Sequence, residues 1–171
     1  DVTLLGYSSG GILALAAARS PVRRVVALEA PVVVEGAPPR DPDVGALLET
    51  LVRAGRNAEA VELYQSRVIG LPAHLAGGQR DQPWFRAVEA IAPSLLYDWA
   101  VTDRYPDAGD FASVDVTTLV VRAEDTWPVL VASADAICAA VAGARLAVVP
   151  GRDHAPDPEA VAAAVAELVA G

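Results

Sequence analysis

A serine near the start of the chain has the surroundings of a catalytic nucleophile. Residues 6–10 read Gly-Tyr-Ser-Ser-Gly, so Ser8 has a glycine two positions away on either side. Such a serine reacts when a tight strand-to-helix turn projects its hydroxyl, and that turn leaves little room for neighbouring side chains. Gly6 and Gly10 suit the turn because glycine tolerates strained backbone and close approach. The pattern predicts that Ser8 is a nucleophile and that the backbone N–H of Ser9 stabilises an oxyanion.

The segments on both sides of this motif favour the same interpretation. Val2–Leu5 predicts a strand before Ser8, and Ile12–Arg19 predicts a helix after it. A glycine-rich turn without chemistry is the alternative. A phosphate-binding loop fits poorly, because neither G-x-G-x-x-G nor G-x-x-x-x-G-K-[ST] is present.

A serine hydroxyl needs a base to take its proton. The chain has 2 histidines. His74 lies in a Leu-Pro-Ala-His stretch that suggests no partner to orient it. His154 follows the last predicted strand, so we expect its loop to bring the imidazole to Ser8. A histidine in an ordinary surface loop is the alternative for His154.

The base in turn needs a carboxylate that orients its ring and stabilises the imidazolium. Asp125 follows the third predicted strand, and we expect it to take this role. Glu29, at the end of the second predicted strand, is the alternative acid. Glu124 and Asp153 are further acidic residues close to these positions in the sequence. For both Asp125 and Glu29, the alternative is an ordinary carboxylate in a solvated loop.

Four short aliphatic runs predict strands that are buried on both faces. They are Val2–Leu5, Val22–Leu28, Thr117–Arg122 and Arg145–Val149. Helical patterns lie between the first and second runs, at Ile12–Arg19, and between the third and fourth, at Val129–Ala142. A last helix begins with Asp157 as its N-cap and Pro158 in its first turn. This alternation predicts an α/β fold with a parallel sheet and right-handed crossovers.

About ninety residues separate the second predicted strand from the third, far more than an ordinary connection needs. Helical patterns fill this segment at Val44–Ala54, Ala58–Val68 and Trp84–Val101. Its aromatic residues include Trp84, Phe85, Tyr97 and Trp99. They either hold a helical subdomain together or line the inner face of a lid over a substrate pocket. As substrate-binding residues we expect Trp84 and Tyr97, together with Tyr7 and Trp127.

The composition disfavours several classes of partner. The net charge is −9 and all 13 basic residues are arginine, which makes nucleic acid a poor partner. No apolar run reaches the roughly 18 residues of a membrane span, and we expect no signal peptide. The single Cys138 excludes an internal disulfide and is compatible with a reducing compartment, so we expect a cytoplasmic protein. No pattern indicates a metal or an organic cofactor.

The serine motif and the loops after the other strands resemble the α/β-hydrolase family. The chain from Asp1 to Gly171 is similar to the carboxyl-terminal two-thirds of that fold, with strands 5–8 of the family. The resemblance implies a core at residues 1–35 and 115–171, with a helical lid inserted at 36–114. Ala123 replaces the family's usual glycine, and Thr126 stands where the usual acid would lie. Some relatives carry the acid after the preceding strand, where Glu29 stands.

The resemblance implies a serine hydrolase that acts on an ester-like carbonyl substrate through an acyl-enzyme. Esterases, lactonases, thioesterases and carbon–carbon bond hydrolases of the family share these residues, so the sequence does not separate them. A serine nucleophile argues against dehalogenase and epoxide hydrolase chemistry. The family's first four strands, and the loop that donates one oxyanion-hole N–H, have no counterpart here. We therefore expect a fragment of a longer protein, with Val2–Leu5 exposed as an apolar sheet edge. The alternatives are a non-catalytic binding protein and an inactive fragment, and the small-molecule substrate is expected to be hydrophobic.

Overall fold

The computed structural model describes residues 2–19, 21–37, 39–71 and 80–171. The chain divides into two compact units, one formed by Asp1–Ala37 with Val101–Gly171 and the other by Pro38–Ala100. Among the described ranges, no helix has the length and apolar character needed to cross a membrane. The assignment of residues 36–114 as a lid between core segments 1–35 and 115–171 stays a prediction.

The first unit is built on a mostly parallel sheet, as the sequence predicts. Its strands are β1 (Val2–Tyr7), β2 (Val22–Leu28), β3 (Thr117–Asp125), β4 (Arg145–Arg152) and β5 (Ala155–Pro156). They lie in the order β1-β2-β3-β4-β5. The first four are parallel, and the short β5 pairs antiparallel with the end of β4. Parallel neighbours end at the same edge, so the loops after β1, β2, β3 and β4 share one edge of the sheet.

Helices cover both faces of this sheet. They are α1 (Ser9–Ala16), α6 (Pro128–Ala140) and α7 (Pro158–Ala170). A further helix, α5 (Leu95–Arg104), begins in the second unit and ends in the first. On one face Val25 and Val120 are buried with Ile12 of α1 and Ile137 of α6. On the other face, residues one position further along these strands pack with α7. They include Val26, Val121, Val161 and Leu168. Successive strand side chains point to opposite faces, so a sheet covered on both sides needs the continuous apolar runs seen in the sequence.

The last helix is anchored at both ends. The Asp157 carboxylate accepts a hydrogen bond from the backbone N–H of Ala160 at 2.9 Å, which confirms the predicted N-cap. At the other end, the Arg24 guanidinium donates to the carbonyl of Leu168 at 3.2 Å. A cation is favourable there because helix carbonyls concentrate negative charge at the carboxyl terminus. The Arg24 contact therefore ties the carboxyl end of α7 to β2, and the Asp157 cap defines where α7 begins after the β4–β5 hairpin.

The second unit is helical, with α2 (Val44–Arg53), α3 (Asn57–Arg67) and α4 (Pro83–Ala90). Val44 and Leu48 of α2 are buried with Ala60 of α3. Phe85 of α4 is buried with Val61 of α3. These apolar stripes account for the helical periodicity of the sequence, because each helix buries one face against a neighbour.

Candidate active site

The turn between β1 and α1 has the strained geometry expected of a nucleophile-bearing turn. Ser8 adopts φ 56° and ψ −126° between the end of β1 and the start of α1. A positive φ is uncommon for a residue with a side chain and persists only where surrounding contacts enforce it. Here the Ser8 N–H donates to the Leu28 carbonyl at 2.9 Å, and the Ser8 carbonyl accepts from Gly11 at 2.8 Å. Ser9 begins α1, so its N–H lies at the amino terminus of a helix.

Two glycines make this turn possible, and one of them differs from the prediction. A Cβ added at Gly6 would overlap the carbonyl oxygen of Gly10. A Cβ at Gly11 would lie 2.7 Å from the Cβ of Ala30. At Gly10, by contrast, an added Cβ meets no atom of the described residues within 4 Å. The positions without room for a side chain are therefore Gly6 and Gly11, because α1 turns position 11, not position 10, toward the end of β2.

Glu29 begins the turn after β2 and is held as a buried carboxylate. Its φ is 51° and its exposure is 2%. Its Oε1 accepts the backbone N–H of Ala123 at 2.6 Å, and its Oε2 accepts the Thr126 hydroxyl at 2.6 Å. A buried carboxylate is unfavourable unless hydrogen-bond donors satisfy its oxygens. The end of β3 supplies those donors, so the two strand ends form one unit around Glu29.

His154 completes this cluster. Its Nδ1 lies 3.1 Å from Oε2 of Glu29. A carboxylate accepts hydrogen bonds, so Nδ1 is the donor and Nε2 is the nitrogen that remains for chemistry. The imidazole stacks with the Tyr7 ring at 4.8 Å between centroids and with the Trp127 ring at 5.2 Å. The Tyr7 hydroxyl also donates to the backbone carbonyl of His154.

The loop that carries His154 is strained as well. Asp153 has φ 54°, and its N–H donates to the Asp125 carbonyl at 2.8 Å. Among the described residues, the non-glycine positions with positive φ are Ser8, Glu29 and Asp153. They are far apart in the sequence, yet each lies in or beside one member of the predicted Ser-acid-His set. Strained backbone of this kind concentrates where side chains must be aimed.

The structure brings Glu29, the alternative acid, to His154 and does not bring Asp125 there. Asp125 is still within β3, in register with Arg152 of β4, and its side chain is exposed. Glu124 and Asp153 are exposed too. The physical reason for the difference is the backbone. The chain leaves β2 at Glu29 in a left-handed turn that brings its side chain to the end of β3, whereas β3 stays paired through Asp125.

The other predicted site residues have separate locations. Tyr7 and Trp127, predicted to bind substrate, stack with His154. Trp84 and Tyr97 belong to the second unit, where they are 44% and 78% exposed. His74 lies outside the described residues. Within the part of the chain that the structure describes, no group of three or more histidine, cysteine or acidic side chains has the arrangement of a metal site.

Sequence reasoning missed two groups as members of the site, namely the Thr126 hydroxyl and the Ala123 N–H. Thr126 carried a signal, because a polar residue directly after the third strand stands at the edge where the loops meet. The backbone N–H of Ala123 carried none, since any residue at that position except proline would supply it.

The cluster also changes the acidity of Tyr7. Burial and the negative charge of Glu29 raise the pKa of its phenol above the ordinary value.

Comparison with known proteins gives a consistent result. A family model described as "Alpha/beta hydrolase family" matches residues 1–164. An alpha/beta hydrolase from Sphaerobacter thermophilus is 30% identical, with a TM-score of 0.84 over 96% of this chain. A hydrolase from Pseudomonas aeruginosa is 24% identical, with a TM-score of 0.61 over 98% of the chain. The chain spans 66% and 64% of the lengths of these two structures.

The likeness to the Pseudomonas aeruginosa structure concerns the fold alone, and so does a more distant one. A meta-cleavage product hydrolase from Pseudomonas fluorescens IP01 is 20% identical, with a TM-score of 0.51 over 96% of this chain and 61% of its own length. No curated protein sequence matches the chain.

Proposed function

We propose that this chain, which belongs to the alpha/beta hydrolase family, carries the catalytic residues of a serine hydrolase that acts on an ester-like carbonyl substrate. The observation that carries the proposal is the contact between the buried Glu29 and the partly buried His154, at the sheet edge where β1 ends in the strained turn of Ser8. Tyr7 precedes Ser8 directly and contacts the imidazole, which supports a short path between nucleophile and base. Membership of the family fixes the fold but not the reaction.

In the proposed acylation step, the Ser8 Oγ forms a bond to the substrate carbonyl carbon while its proton moves to Nε2 of His154. Glu29 accepts the hydrogen bond from Nδ1, so it favours the tautomer with a free Nε2 and then stabilises the imidazolium. The carbonyl oxygen takes the negative charge and accepts a hydrogen bond from the Ser9 N–H. When the bond to the leaving group breaks, the proton on Nε2 passes to the leaving oxygen.

Deacylation repeats these roles with water. A water oxygen attacks the acyl carbon while one of its protons moves to Nε2 of His154. The bond to Ser8 then breaks, and the proton on Nε2 returns to the Ser8 Oγ, so the acid product leaves and the enzyme is restored. We further propose that a second oxyanion donor lies in a part of the family fold that this chain does not span. Donors of this kind each contribute on the order of 3 kcal/mol to transition-state stabilisation.

The substrate is proposed to be a small hydrophobic molecule. The aromatic character of Trp84 and Tyr97, which the sequence predicts to bind substrate, supports this, because ligand pockets are mostly lined by apolar and aromatic side chains. Net charge −9 gives no electrostatic attraction for anionic substrates.

The proposal is tested with the complete gene product, a fluorophosphonate probe and a series of p-nitrophenyl esters. We expect stoichiometric labelling, seen in the intact mass, and ester hydrolysis, with both lost in Ser8→Ala. Ser113→Ala is the matched control, since Ser113 is an exposed serine that precedes the amino end of β3. Labelling that survives in Ser8→Ala, or its absence from the wild-type protein, contradicts the proposal. The latter result favours a binding protein that keeps the fold.

A further inference from the structure

The base of the proposed site has an aromatic environment that the proposed mechanism does not use. The imidazole of His154 is near-parallel to two rings, with interplanar angles of 22° to Tyr7 and 24° to Trp127. Only 23% of the His154 side chain is exposed. The two rings come from different strand ends, because Tyr7 closes β1 and Trp127 follows β3.

The Tyr7 hydroxyl adds a second kind of restraint. It donates to the backbone carbonyl of His154, so it connects the histidine loop to the residue before Ser8. The loop needs such a tie because it contains the strained Asp153 and ends in a two-residue strand, β5. Short loops with little regular pairing open at low free energy unless other contacts restrain them.

We propose that Tyr7 and Trp127 are positioning residues that hold the His154 imidazole in line with Ser8, and that they are not primarily substrate contacts. This inference rests on the proposed function and adds to it. Glu29 fixes Nδ1, while the two rings limit how far the imidazole can tilt or swing. The hydroxyl of Tyr7 fixes the backbone that carries the ring. Proton transfer between Ser8 and His154 is sensitive to such restraints, because a misplacement of about 1 Å lowers a rate by roughly a hundredfold.

The protonation of Tyr7 is consistent with this role. Its pKa is raised above the usual value by burial and by the charge of Glu29, so the phenol keeps its proton in neutral and mildly alkaline solution. The hydroxyl therefore remains a donor to the His154 carbonyl at the pH values where ester hydrolysis is measured.

Graded substitutions in the complete gene product separate the two restraints. Tyr7→Phe keeps the ring and removes the hydroxyl, and we expect kcat to fall by about threefold to tenfold, with KM unchanged within twofold. Tyr7→Leu and Trp127→Leu each remove a stacked ring, and we expect kcat to fall by about a hundredfold. Trp127→Phe keeps a smaller ring and should recover most of that loss. Tyr105→Phe is the control, because Tyr105 packs with Phe111 and not with His154.

Two further readouts distinguish positioning from a general structural role. The rate of fluorophosphonate labelling should fall in parallel with kcat, and the downfield proton resonance of the His154 Nδ1–H should broaden in Tyr7→Leu. Chemical denaturation identifies variants that are simply unfolded, and Tyr7→Phe, the mildest change, decides the matter if the leucine variants unfold.

Three outcomes overturn the inference. The first is a rise in KM with kcat unchanged, which would make Tyr7 and Trp127 substrate contacts. The second is an unchanged kcat in every variant. The third is a loss of kcat in proportion to the loss of stability. The proposed function is judged separately by Ser8→Ala. If that variant is inactive while Tyr7→Phe and Trp127→Leu are normal, only the positioning role fails.

Discussion

The ends of β2 and β3 lie side by side, and each carries an acidic residue, yet the two are built differently. The chain leaves β2 at Glu29, whose φ of 51° breaks the strand at once. β3 continues past the same level, and Asp125 is still in register with Arg152 of β4. As a result Glu29 is buried beside His154, whereas the Asp125 side chain is exposed.

The two strand ends contribute different groups to the site. The end of β3 gives its donors to Glu29, through the Ala123 N–H and the Thr126 hydroxyl. Its Asp125 carbonyl accepts the Asp153 N–H, which holds the loop before His154. One strand end therefore supplies the carboxylate, and its neighbour supplies the backbone and hydroxyl groups that hold the carboxylate and the histidine loop. Two acidic residues at one sheet edge need not be equivalent candidates.

Neutralising each carboxylate in turn gives the largest expected effect. We expect Glu29→Gln to lower kcat for ester hydrolysis by about 10³–10⁴-fold, because an amide does not hold the imidazole tautomer or stabilise the imidazolium. Asp125→Asn should leave kcat within about threefold, since the hydrogen bond to Asp153 uses the backbone carbonyl, which this variant keeps. Steady-state kinetics with a p-nitrophenyl ester measures both. The opposite ranking of the two variants would assign the acid to the end of β3.

This ranking also shows how far the sequence alone leads. The run Val22–Leu28 predicts β2 with its observed bounds, because a strand buried on both faces must be continuously apolar. The location of Ser8 and His154 near the ends of strands is predictable for a similar reason, since each lies a few residues after such a run. The turn at Glu29 is not predictable from the sequence, because residues in the left-handed conformation are usually glycine or asparagine. β3 likewise extends beyond the predicted Arg122, since pairing with β4 continues through polar residues and an irregularity in register after Ala123.

A second prediction concerns how closely α1 approaches the end of β2. We expect Gly11→Ala to be about 2 kcal/mol less stable than Gly10→Ala, because the new Cβ lies 2.7 Å from the Ala30 Cβ and must push the chain beside Glu29. The helix propensity gained is similar in both variants, so it cancels in the comparison. Chemical denaturation gives the two free energies of unfolding. Equal values would mean that the end of β2 yields without strain.

A third prediction moves the acid from one strand end to the other. In the double variant Glu29→Gln with Thr126→Asp, we expect kcat to recover by about tenfold over Glu29→Gln, a gain of about 1.4 kcal/mol. The Thr126 hydroxyl lies 2.6 Å from Oε2 of Glu29, so a carboxylate at position 126 lies close to His154. Glu29→Gln with Thr126→Asn is the uncharged control. A gain in that control would trace the recovery to packing, and no gain in either variant would mean that only the turn after β2 can orient the imidazole.

The prediction with the smallest expected effect concerns the hydrogen bonds between α6 and the segment after β2. The buried Ser133 hydroxyl of α6 accepts the Val32 N–H at 3.1 Å and lies 3.1 Å from the Val32 carbonyl. Ser133→Ala leaves that N–H buried without its acceptor, and we expect a loss of about 1 kcal/mol in the free energy of unfolding. Because Val32 is three residues from Glu29, kcat should also fall by about twofold to threefold. Ser113→Ala, at an exposed serine, should change neither quantity. A stability loss without any change in kcat would contradict this. It would mean that the hydrogen bonds from Ala123 and Thr126, at the end of β3, are sufficient to hold Glu29 in place.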